Sequence, residues 1–429
     1  MSQSLRRVAI VGGVRTPFCR SGTLYADLTN LDLMTAALSG LVDRFALTGV
    51  HVDEVVGGAV VTHAKDWNLA REAVLGTALA SSTPGITLMQ ACGTSLQAAM
   101  GIAAKIACGD IECGIAVGSD TTSDPPIVFT KTFAHRLAAM SAKKSRLDKL
   151  KVMKGFRARE LVPQPPATAE PRTGLTMGQH CELMAKEWDI PRAEQDQIAY
   201  DSHTRAADAY ASGYWDDLVV PYAGVYRDNT IREDVSLDKL AALKTVFDPS
   251  DRATLTAGNS TPLTDGAASL LLSSEEWARA RGLPILAYLR ASQHVGNDFV
   301  AGEGLLMAPT IAVAKLLART GLSLQDFDFY EIHEAFAAQV LATLRAFEDP
   351  AYCHERLGLS VPMGAIDRAK LNVKGSSLAY GHPFAATGAR ITAHLAKLLA
   401  ERGGGRGLIS ICTAGGMGVA AILEGADRG

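Results

Sequence analysis

The sequence predicts a layered α/β fold in which helices cover a largely parallel sheet. First, short β-branched runs alternate with longer helical patterns over residues 7–120 and again from residue 284. Second, the chain has 40 Gly but only 12 Phe and 4 Trp, which favours tight turns and close helix packing over an aromatic-rich sandwich. Third, its 429 residues suffice for two or three domain-sized units.

The first predicted unit covers residues 1–120 and has a β-α-β order. A helix is predicted over 31–47 (LDLMTAALSGLVDRFAL), and a second helix follows Cys92. Strands are predicted over 7–13 (RVAIVGG), 54–61 (EVVGGAVV), 86–90 (ITLMQ) and 113–120 (CGIAVGSD). Their short apolar runs, bounded by turn residues, are typical of buried strands in such a unit.

Residues 121–250 have a different composition. They contain DPP at 124–126, a basic helical stretch, PQPP at 163–166 and a polar, Asp-rich helical region over 182–216. This composition predicts an inserted loop domain of loops and helices rather than a second sheet. Residues 251–283 are then expected to complete the first unit.

Residues 284–429 repeat the plan of the first unit. The predicted elements are a strand (285–292), a helix (308–322), a strand entering a helix (326–336), a turn entering a helix (371–403) and a final buried strand (407–425). In each half a reactive residue precedes a small-residue helix, and a buried strand with Gly-rich sequence follows. We therefore expect a duplication that brings matched strand ends together about a pseudo-twofold axis.

Composition excludes several classes of protein. A formal net charge of −3 offers no global attraction to nucleic acid or membranes. The seven cysteines show no CxxC spacing, so neither a disulfide framework nor a metal site is indicated. A reducing, cytoplasmic location is expected, with no signal peptide in MSQSLRRVAIVGG and no apolar stretch of membrane-spanning length.

Cys92 is the first candidate for chemistry. It stands between an apolar run and a helix of small residues, with Thr94 and Ser95 as plausible caps. At a helix start, unpaired N–H groups and the helix dipole would lower the thiol pKa and favour a nucleophilic thiolate. The alternative is a buried structural cysteine, because free Cys is among the most buried residue types.

His382 is the candidate base. Pro383, in the turn YGHPFAATG, suits the first helical position, which places His382 at the N-cap or just before it. A helix N-terminus disfavours imidazolium, so the ring stays neutral and can accept a proton from a thiol. A surface histidine in a turn is the alternative.

Cys412 and His333 complete the candidates. Cys412 ends the strand GLISI before a glycine pair that permits close backbone approach to a ligand or an anion-binding nest. His333 lies where a strand meets a helix and could donate to a developing oxyanion. A hydrogen-bonded core histidine is the alternative for His333, and Ala337 breaks the HExxH pattern of zinc proteases.

Six segments together resemble the thiolase family. They are QACGTS, TMGQHCELMAK, TAGNSTPLTDGAA, EIHEAFAAQ, NVKGSSLAYGHPFAATGAR and CTAGGMG, they occur in the family's order, and they cover essentially the whole chain. HEAF, CTAGG and GHPFAATG are most similar to the acetyl-CoA acyltransferases of fatty acid β-oxidation, in the branch of the trifunctional-multienzyme β subunit. The resemblance implies the thiolase fold, with two duplicated α/β halves in five αβαβα layers.

The resemblance also implies residue roles. Cys92 would be the acylated nucleophile, His382 its base and Cys412 the shuttle for a second proton. His333, through a water, would help hold the thioester oxygen of the acetyl-CoA enolate. The backbone N–H groups of Cys92 and Ala414 would form the other oxyanion hole, with Ala414 standing where many members have Gly.

Two further positions follow from the same resemblance. Met177 and Thr261 would line the path of the acyl and pantetheine groups, although many members have Ser at the position of Thr261. The implied reaction is cleavage of 3-ketoacyl-CoA with CoA, and CoA and acyl-CoA are substrates, with no metal and no cofactor. The alternatives are an acetyltransferase acting mainly on acetoacetyl-CoA, a ketoacyl or hydroxymethylglutaryl-CoA synthase, and a non-catalytic acyl-CoA-binding relative.

The basic stretch over 131–159 has ten Lys or Arg and one acid, Asp148. A solvated amphipathic helix, binding of the CoA phosphates, and contact with a membrane surface or partner are all open. In the branch that the chain resembles, this insertion is associated with a hydratase-dehydrogenase α subunit and peripheral membrane attachment. A homodimer or a dimer of dimers is expected, and no nucleic acid.

Overall fold

The computed structural model describes residues 5–426, so the outermost residues of the predicted units, 1–4 and 427–429, lie outside the described residues. The strands are β1 Val8–Arg15, β2 Cys19–Arg20, β3 Glu54–Gly58, β4 Gly85–Thr87, β5 Cys113–Asp120, β6 Thr264–Ser274, β7 Ala287–Gly296, β8 Phe329–Ile332, β9 Arg406–Thr413 and β10 Met417–Gly425. The helices are α1 Asn30–Arg44, α2 Leu69–Leu75, α3 Thr94–Cys108, α4 Lys131–Ser141, α5 Arg146–Val152, α6 Met177–Glu187, α7 Arg192–Ala211, α8 Leu237–Ala241, α9 Glu275–Ala280, α10 Ala308–Thr320, α11 Ala337–Glu348, α12 Pro350–Glu355, α13 Ser377–Tyr380 and α14 Thr387–Arg402.

Local sequence explains where the main helices begin and end. At α1 the Thr29 side chain accepts from the backbone of Asp32, and the Asp32 carboxylate accepts from the backbone of Thr29, which forms a capping box. Helices α3 and α14 both end at a left-handed glycine, Gly109 with φ 84° and Gly403 with φ 87°. Glycine adopts this conformation without a Cβ clash, so each helix stops and the chain turns into the next strand.

The sheet has the order β4-β3-β5-β6-β1-β7-β10-β9-β8, with β2 paired to β6. The run β3-β5-β6-β1 of the first half is mirrored by β8-β9-β10-β7 of the second half. The two runs meet where β1 pairs with β7, at Ala9 with Tyr288 and at Ile10 with Ala287. This symmetry confirms the predicted duplication.

The prediction of a largely parallel sheet is wrong. Only β3 with β4, β3 with β5 and β8 with β9 are parallel, whereas β6 is antiparallel to both β5 and β1. The segment 407–425, predicted as one strand, is the hairpin β9–β10, which is antiparallel because only residues 414–416 connect its strands. Parallel pairing needs a long crossover, which this connection lacks.

The two halves of the continuous sheet, which meet where β1 pairs with β7, form two layers. The helices lie in three layers that alternate with them. On β3, Val55 packs towards α1 and α2 while its neighbour Val56 packs towards the central helices α3 and α14. On β10, Val419 and Ala421 face the same central helices, and Ala420 faces α10 on the other side. Successive strand residues point to opposite faces, so the apolar strands of both halves are covered twice. The five-layered αβαβα arrangement is confirmed.

The two central helices approach each other closely, and this contact brings the halves into register. The Ser95 hydroxyl of α3 donates to the backbone carbonyl of Ala385 at 2.5 Å and accepts from the backbone N–H of Ala389 at 2.8 Å. A Cβ at Gly388 would lie 2.4 Å from the backbone nitrogen of Leu96. A side chain there would separate the helices, and with them the residues that precede each helix.

Residues 121–250 contain helices α4 to α8 and no strand longer than an isolated bridge, within the part of the chain that the structure describes. The boundaries at residues 120, 250 and 283 stay predictions. Across residues 5–426, none of the helices combines the length and apolar character needed to cross a membrane.

Candidate active site

Cys92 lies in a 3₁₀ turn, Ala91–Gly93, directly before α3, and is buried. The Thr94 hydroxyl holds this turn, because it donates to the Ala91 carbonyl at 2.7 Å and accepts from the Gln90 backbone N–H at 2.9 Å. The prediction that Thr94 and Ser95 cap the helix is wrong. Neither hydroxyl accepts from the first turn of α3, since that of Ser95 bonds across to the other half.

His382 meets Cys92 from the opposite half of the molecule. Its Nε2 lies 3.0 Å from the Cys92 Sγ, a hydrogen-bonding distance, and its Nδ1 lies 2.5 Å from the Thr387 hydroxyl at the start of α14. Its backbone N–H donates to the Thr264 hydroxyl at 2.8 Å. His382 stands just before a helical start, as the sequence predicted, but Pro383 is the N-cap of a 3₁₀ turn that leads into α14 and not its first helical residue.

Burial decides the protonation of this pair. It lowers the pKa of His382 to about 3, with a smaller contribution from the charge of Arg390, so the imidazole is neutral as predicted. Burial also raises the pKa of the Cys92 thiol to about 12, against a smaller opposite effect of the Ala414 backbone N–H. The predicted acidic thiol is therefore wrong. The pair is therefore a neutral thiol and a neutral imidazole, and a proton transfer from Cys92 to His382 is what its geometry allows.

Cys412 and Ala414 approach Cys92 from the β9–β10 hairpin. Cys412 is buried at the end of β9, and burial, together with its neighbours Cys92 and Cys181, raises its thiol pKa well above the usual range. The backbone N–H groups of Ala414 and of Cys92 itself both point at the Cys92 sulfur. Two backbone donors thus converge on the Cys92 sulfur, and the neutral Cys412 thiol is near enough for Cys92 to influence its pKa.

The glycine pair of the hairpin does not form an open anion nest. Gly415 and Gly416 both have positive φ, 77° and 66°, as a tight hairpin turn requires. The Gly415 N–H, however, donates to the Glu170 carboxylate at 2.9 Å. Glu170 of the inserted domain therefore occupies the Gly415 donor, and the Ala414 N–H is the hairpin donor directed at the Cys92 sulfur.

His333 completes the cluster. It follows β8, is fully buried, and its ring centroid lies 4.1 Å from that of His382. Burial and the neighbouring His382 and Arg390 lower its pKa well below the usual range, so this ring is also neutral. Its Nδ1 lies 2.8 Å from the Ser377 hydroxyl, and its Nε2 is buried without a hydrogen-bond partner among the described residues.

The segment that carries His333 is held by buried polar contacts on both sides. The Asn372 side chain accepts from the Ile332 N–H at 3.0 Å and donates to the Glu334 carboxylate at 2.8 Å. The same carboxylate accepts from the Ser202 hydroxyl at 2.7 Å and from the Leu378 N–H at 3.2 Å. Burial raises the pKa of Glu334 to about 7.

Met177 and Thr261 lie at the edge of the cluster. Met177 begins α6 and packs against the apolar group that contains Cys412. The Thr261 hydroxyl is engaged by the protein itself, since it donates to the Ser377 carbonyl at 2.7 Å. Their predicted contacts with a substrate stay predictions.

A cluster of one cysteine and two histidines could also bind a metal ion. One ligand atom each from Cys92, His333 and His382 can lie within 4.8 Å of one another. The Cys92 Sγ and His382 Nε2 are 3.0 Å apart, whereas a tetrahedral zinc ion would separate its sulfur and nitrogen ligands by roughly 3.5 Å. The observed contact is that of a thiol with its base.

Sequence reasoning missed four polar residues of the site: Ser377, Thr387, Arg390 and Glu170. Three of them lie in the motif NVKGSSLAYGHPFAATGAR, where hydroxyl and guanidinium groups around His382 were a usable signal. Glu170 comes from the inserted domain, about 245 residues before its partner Gly415, and its contact had no local signature.

Similarity to known proteins extends over nearly the whole chain. Residues 8–276 match the family model "Thiolase, N-terminal domain", and residues 283–425 match "Thiolase, C-terminal domain". The 3-ketoacyl-CoA thiolase of Shewanella baltica (strain OS185) is 42% identical over 424 residues, with 97% of each chain covered. That of Shewanella putrefaciens is 41% identical over the same length and coverage.

Two solved structures share the fold. The acetyl-CoA acetyltransferase of Bacillus anthracis superposes with a TM-score of 0.81 at 32% identity, covering 99% of this chain and 100% of its own. Human mitochondrial 3-ketoacyl-CoA thiolase gives the same TM-score and coverage at 28% identity.

Proposed function

The chain belongs to the thiolase family, and on that premise we propose that it cleaves 3-ketoacyl-CoA with CoA in fatty acid β-oxidation. The products are acetyl-CoA and an acyl-CoA shortened by two carbons. The observation that carries this proposal is the 3.0 Å contact between the Cys92 Sγ and the His382 Nε2, with the Ala414 N–H directed at the same sulfur. The named relatives support the substrate class.

The first half-reaction acylates Cys92. His382 takes the thiol proton, and the sulfur attacks the 3-keto carbon of the substrate. The backbone N–H groups of Cys92 and Ala414 stabilise the negative oxygen that forms there. The Cα–Cβ bond then breaks, which leaves an acyl thioester on Cys92 and the enolate of acetyl-CoA.

Cys412 serves both half-reactions. Its neutral, buried thiol donates a proton to the enolate carbon, so that acetyl-CoA can leave. The resulting Cys412 thiolate then takes the proton of the incoming CoA thiol, whose sulfur attacks the acyl group on Cys92. The Cys92 sulfur departs and regains its proton, and the order of events predicts ping-pong kinetics.

His333 is proposed to assist at the second oxygen. Its ring lies beside His382 and Cys92 and its Nε2 is unpartnered among the described residues, where the thioester oxygen of the acetyl-CoA enolate would develop charge. Many family members have Asn at this position, so an N–H donor is the shared property. Met177 and Thr261 would line the path of the acyl and pantetheine groups.

The reaction so described needs CoA and acyl-CoA as substrates and no cofactor. We place it in the cytoplasm, a compartment that keeps thiols reduced. All seven cysteines are free, and six of them are buried.

We test the proposal by intact-mass analysis. The protein is incubated with acetoacetyl-CoA or with a long-chain 3-ketoacyl-CoA, without CoA, and the adduct is mapped by peptide sequencing. The expected result is one acyl group on Cys92 that disappears when CoA is added. An unmodified Cys92 with both substrates contradicts the proposal.

The same experiment separates the substrate alternatives. Acylation and turnover with acetoacetyl-CoA alone would show an acetyltransferase of short substrates, the kind of enzyme that the Bacillus anthracis neighbour is named as. Binding of either acyl-CoA without any adduct would show a non-catalytic relative.

We also propose that the chain forms a homodimer through the free edge of β4. This strand ends the sheet, and the exposed Ile86 on it and the exposed Met89 beyond it leave an apolar edge that is costly to expose to water. A dimer of dimers would need a second contact.

The basic segment, residues 131–159, supports a proposed contact with a hydratase-dehydrogenase subunit. Phe133 of α4 packs on Phe156, which follows α5, with ring centroids 5.8 Å apart. Leu147 and Leu150 are about 70% exposed beside the lysines (70% and 68%). An apolar ridge flanked by positive charge suits a partner with an apolar groove and an acidic rim.

Removing charge from this segment is expected to weaken that contact. The variant with Lys143, Lys144 and Lys154 changed to Gln should bind the hydratase-dehydrogenase subunit at least tenfold more weakly in sedimentation assays, because lost electrostatic attraction slows association. Binding to anionic vesicles is measured in parallel.

The matched control changes three exposed lysines elsewhere, Lys65, Lys244 and Lys315, to Gln. If both variants bind the hydratase-dehydrogenase subunit equally more weakly, or if neither binds it more weakly, the proposed contact through the basic segment is contradicted. Loss of vesicle binding alone would assign the segment to a membrane surface instead.

A further inference from the structure

Ser377 links the buried Arg390 to His333. The Arg390 Nη2 lies 2.9 Å from the Ser377 Oγ, and the His333 Nδ1 lies 2.8 Å from the same oxygen. All three residues are at least 98% buried, so water does not compete for these bonds. Ser377 begins α13, and the Thr261 hydroxyl holds its carbonyl at 2.7 Å.

The direction of these two hydrogen bonds follows from chemistry. A guanidinium has donors only, so the Ser377 oxygen accepts from Arg390. The hydroxyl has a single proton, and the His333 Nδ1 is the acceptor that the structure provides for it. A neutral imidazole that accepts at Nδ1 carries its proton on Nε2.

With its proton on Nε2, His333 has a hydrogen-bond donor at that atom, and this donor has no acceptor among the described residues. Buried polar atoms are nearly always hydrogen-bonded, so an unpartnered one beside the reactive groups calls for an explanation, and a catalytic role is one. The His333 Nε2 has no partner among the described residues, its ring centroid lies 4.1 Å from that of His382, and one of its ring nitrogens lies within 4.8 Å of the Cys92 Sγ. The opposite tautomer would present a lone pair to a developing negative oxygen and leave the Ser377 proton without an acceptor.

We infer that Ser377, oriented by Arg390, is a positioning residue that fixes the His333 proton on Nε2 and so aims an N–H at the enolate oxygen of the substrate directly, without the water that the family resemblance implied. This inference rests on the proposed function. It adds a requirement that applies where a histidine, rather than an asparagine, supplies the donor, because an amide N–H has no alternative tautomer.

The role predicts which half-reaction depends on Ser377. Cleavage of the Cα–Cβ bond creates the enolate that His333 stabilises. Exchange of the acetyl group between acetyl-CoA and labelled CoA passes through acyl-Cys92 without an enolate, and uses the Cys92 and Ala414 N–H groups instead. If His333 loses its proton on Nε2, the rate of cleavage should therefore fall while the rate of acetyl exchange stays unchanged.

The test compares both reactions in Ser377→Ala. We expect kcat for acetoacetyl-CoA cleavage to fall by about 10- to 100-fold, somewhat less than the loss from removing an oxyanion donor outright. KM and the rate of acetyl exchange should stay within about twofold of the wild type. Unchanged exchange also shows that the variant is folded. An equal fall in both reactions, or unchanged cleavage, overturns the inference.

Two further variants sharpen the test. Ser376→Ala is the matched control, because the Ser376 hydroxyl is equally buried but has no hydrogen-bond partner within residues 5–426, and it should leave both rates unchanged. In a His333→Asn background, Ser377→Ala should cause little further loss, whereas independent, multiplying effects contradict the inference. Failure of the proposed function is distinguishable, since the wild type itself would then show neither cleavage nor exchange.

Discussion

Replacing Cys92 with Ala is expected to abolish cleavage of 3-ketoacyl-CoA, with kcat falling by about 10⁴-fold or more. The Cys92 sulfur carries the acyl group between the half-reactions, and no other thiol has both a base at 3.0 Å and backbone donors directed at it, among the residues that the structure describes. The measurement is steady-state thiolysis of acetoacetyl-CoA, followed as loss of its absorbance, with intact-mass analysis of the same sample.

Cys108→Ala is the matched control for this variant. Cys108 is the one exposed cysteine among the seven, and it lies at the far end of α3 from Cys92, so its loss should leave kcat unchanged. Cleavage by Cys92→Ala at more than about one hundredth of the wild-type rate would contradict a covalent role for Cys92.

Replacing Cys412 with Ala is expected to slow turnover by about 10²- to 10⁴-fold, the range for loss of a positioned acid or base, while acylation of Cys92 still proceeds slowly. Without the thiol, water must supply the proton of the enolate and accept the proton of CoA. Quenched-flow sampling with intact-mass detection measures this as acyl-enzyme that accumulates and persists after CoA is added.

Cys181→Ala is the control for packing. Cys181 is buried in the same apolar group as Cys412, so both changes remove a buried sulfur, but only Cys412 has a proposed proton to transfer. Equal losses in the two variants would assign the Cys412 effect to packing. Failure of Cys412→Ala to form any acyl-enzyme would mean that Cys412 is needed before the acylation step.

Most elements of the fold could be predicted from local patterns. The segments 113–120 and 308–322 form β5 and α10 within two residues of their expected bounds, because apolar periodicity is a property of consecutive residues. The direction of a strand, in contrast, is not a property of consecutive residues. Strand β6 enters between β5 and β1 after the whole inserted domain, and its antiparallel direction depends on where that long connection returns.

The candidate site shows the same division. Cys92, His382, His333 and Cys412 were identified from their motifs, and the structure brings them together. The hydroxyls expected to cap α3 bond elsewhere, and Ser377 was overlooked, because the partner of a hydroxyl depends on which donors and acceptors tertiary packing places within about 3 Å of it.

The sequence by itself determined the membership of the thiolase family, the two α/β halves and the identity of the reactive groups, since motifs and periodicity are written in neighbouring residues. Only the tertiary structure decided the protonation of those groups. The start of a helix favours thiolate, but burial between two halves removes water from Cys92 and raises its pKa to about 12, against the smaller opposite effect of the Ala414 backbone N–H. The proposed nucleophile is therefore a neutral thiol that His382 would activate across the pseudo-twofold axis, because desolvation depends on every neighbour and not on the local helix alone.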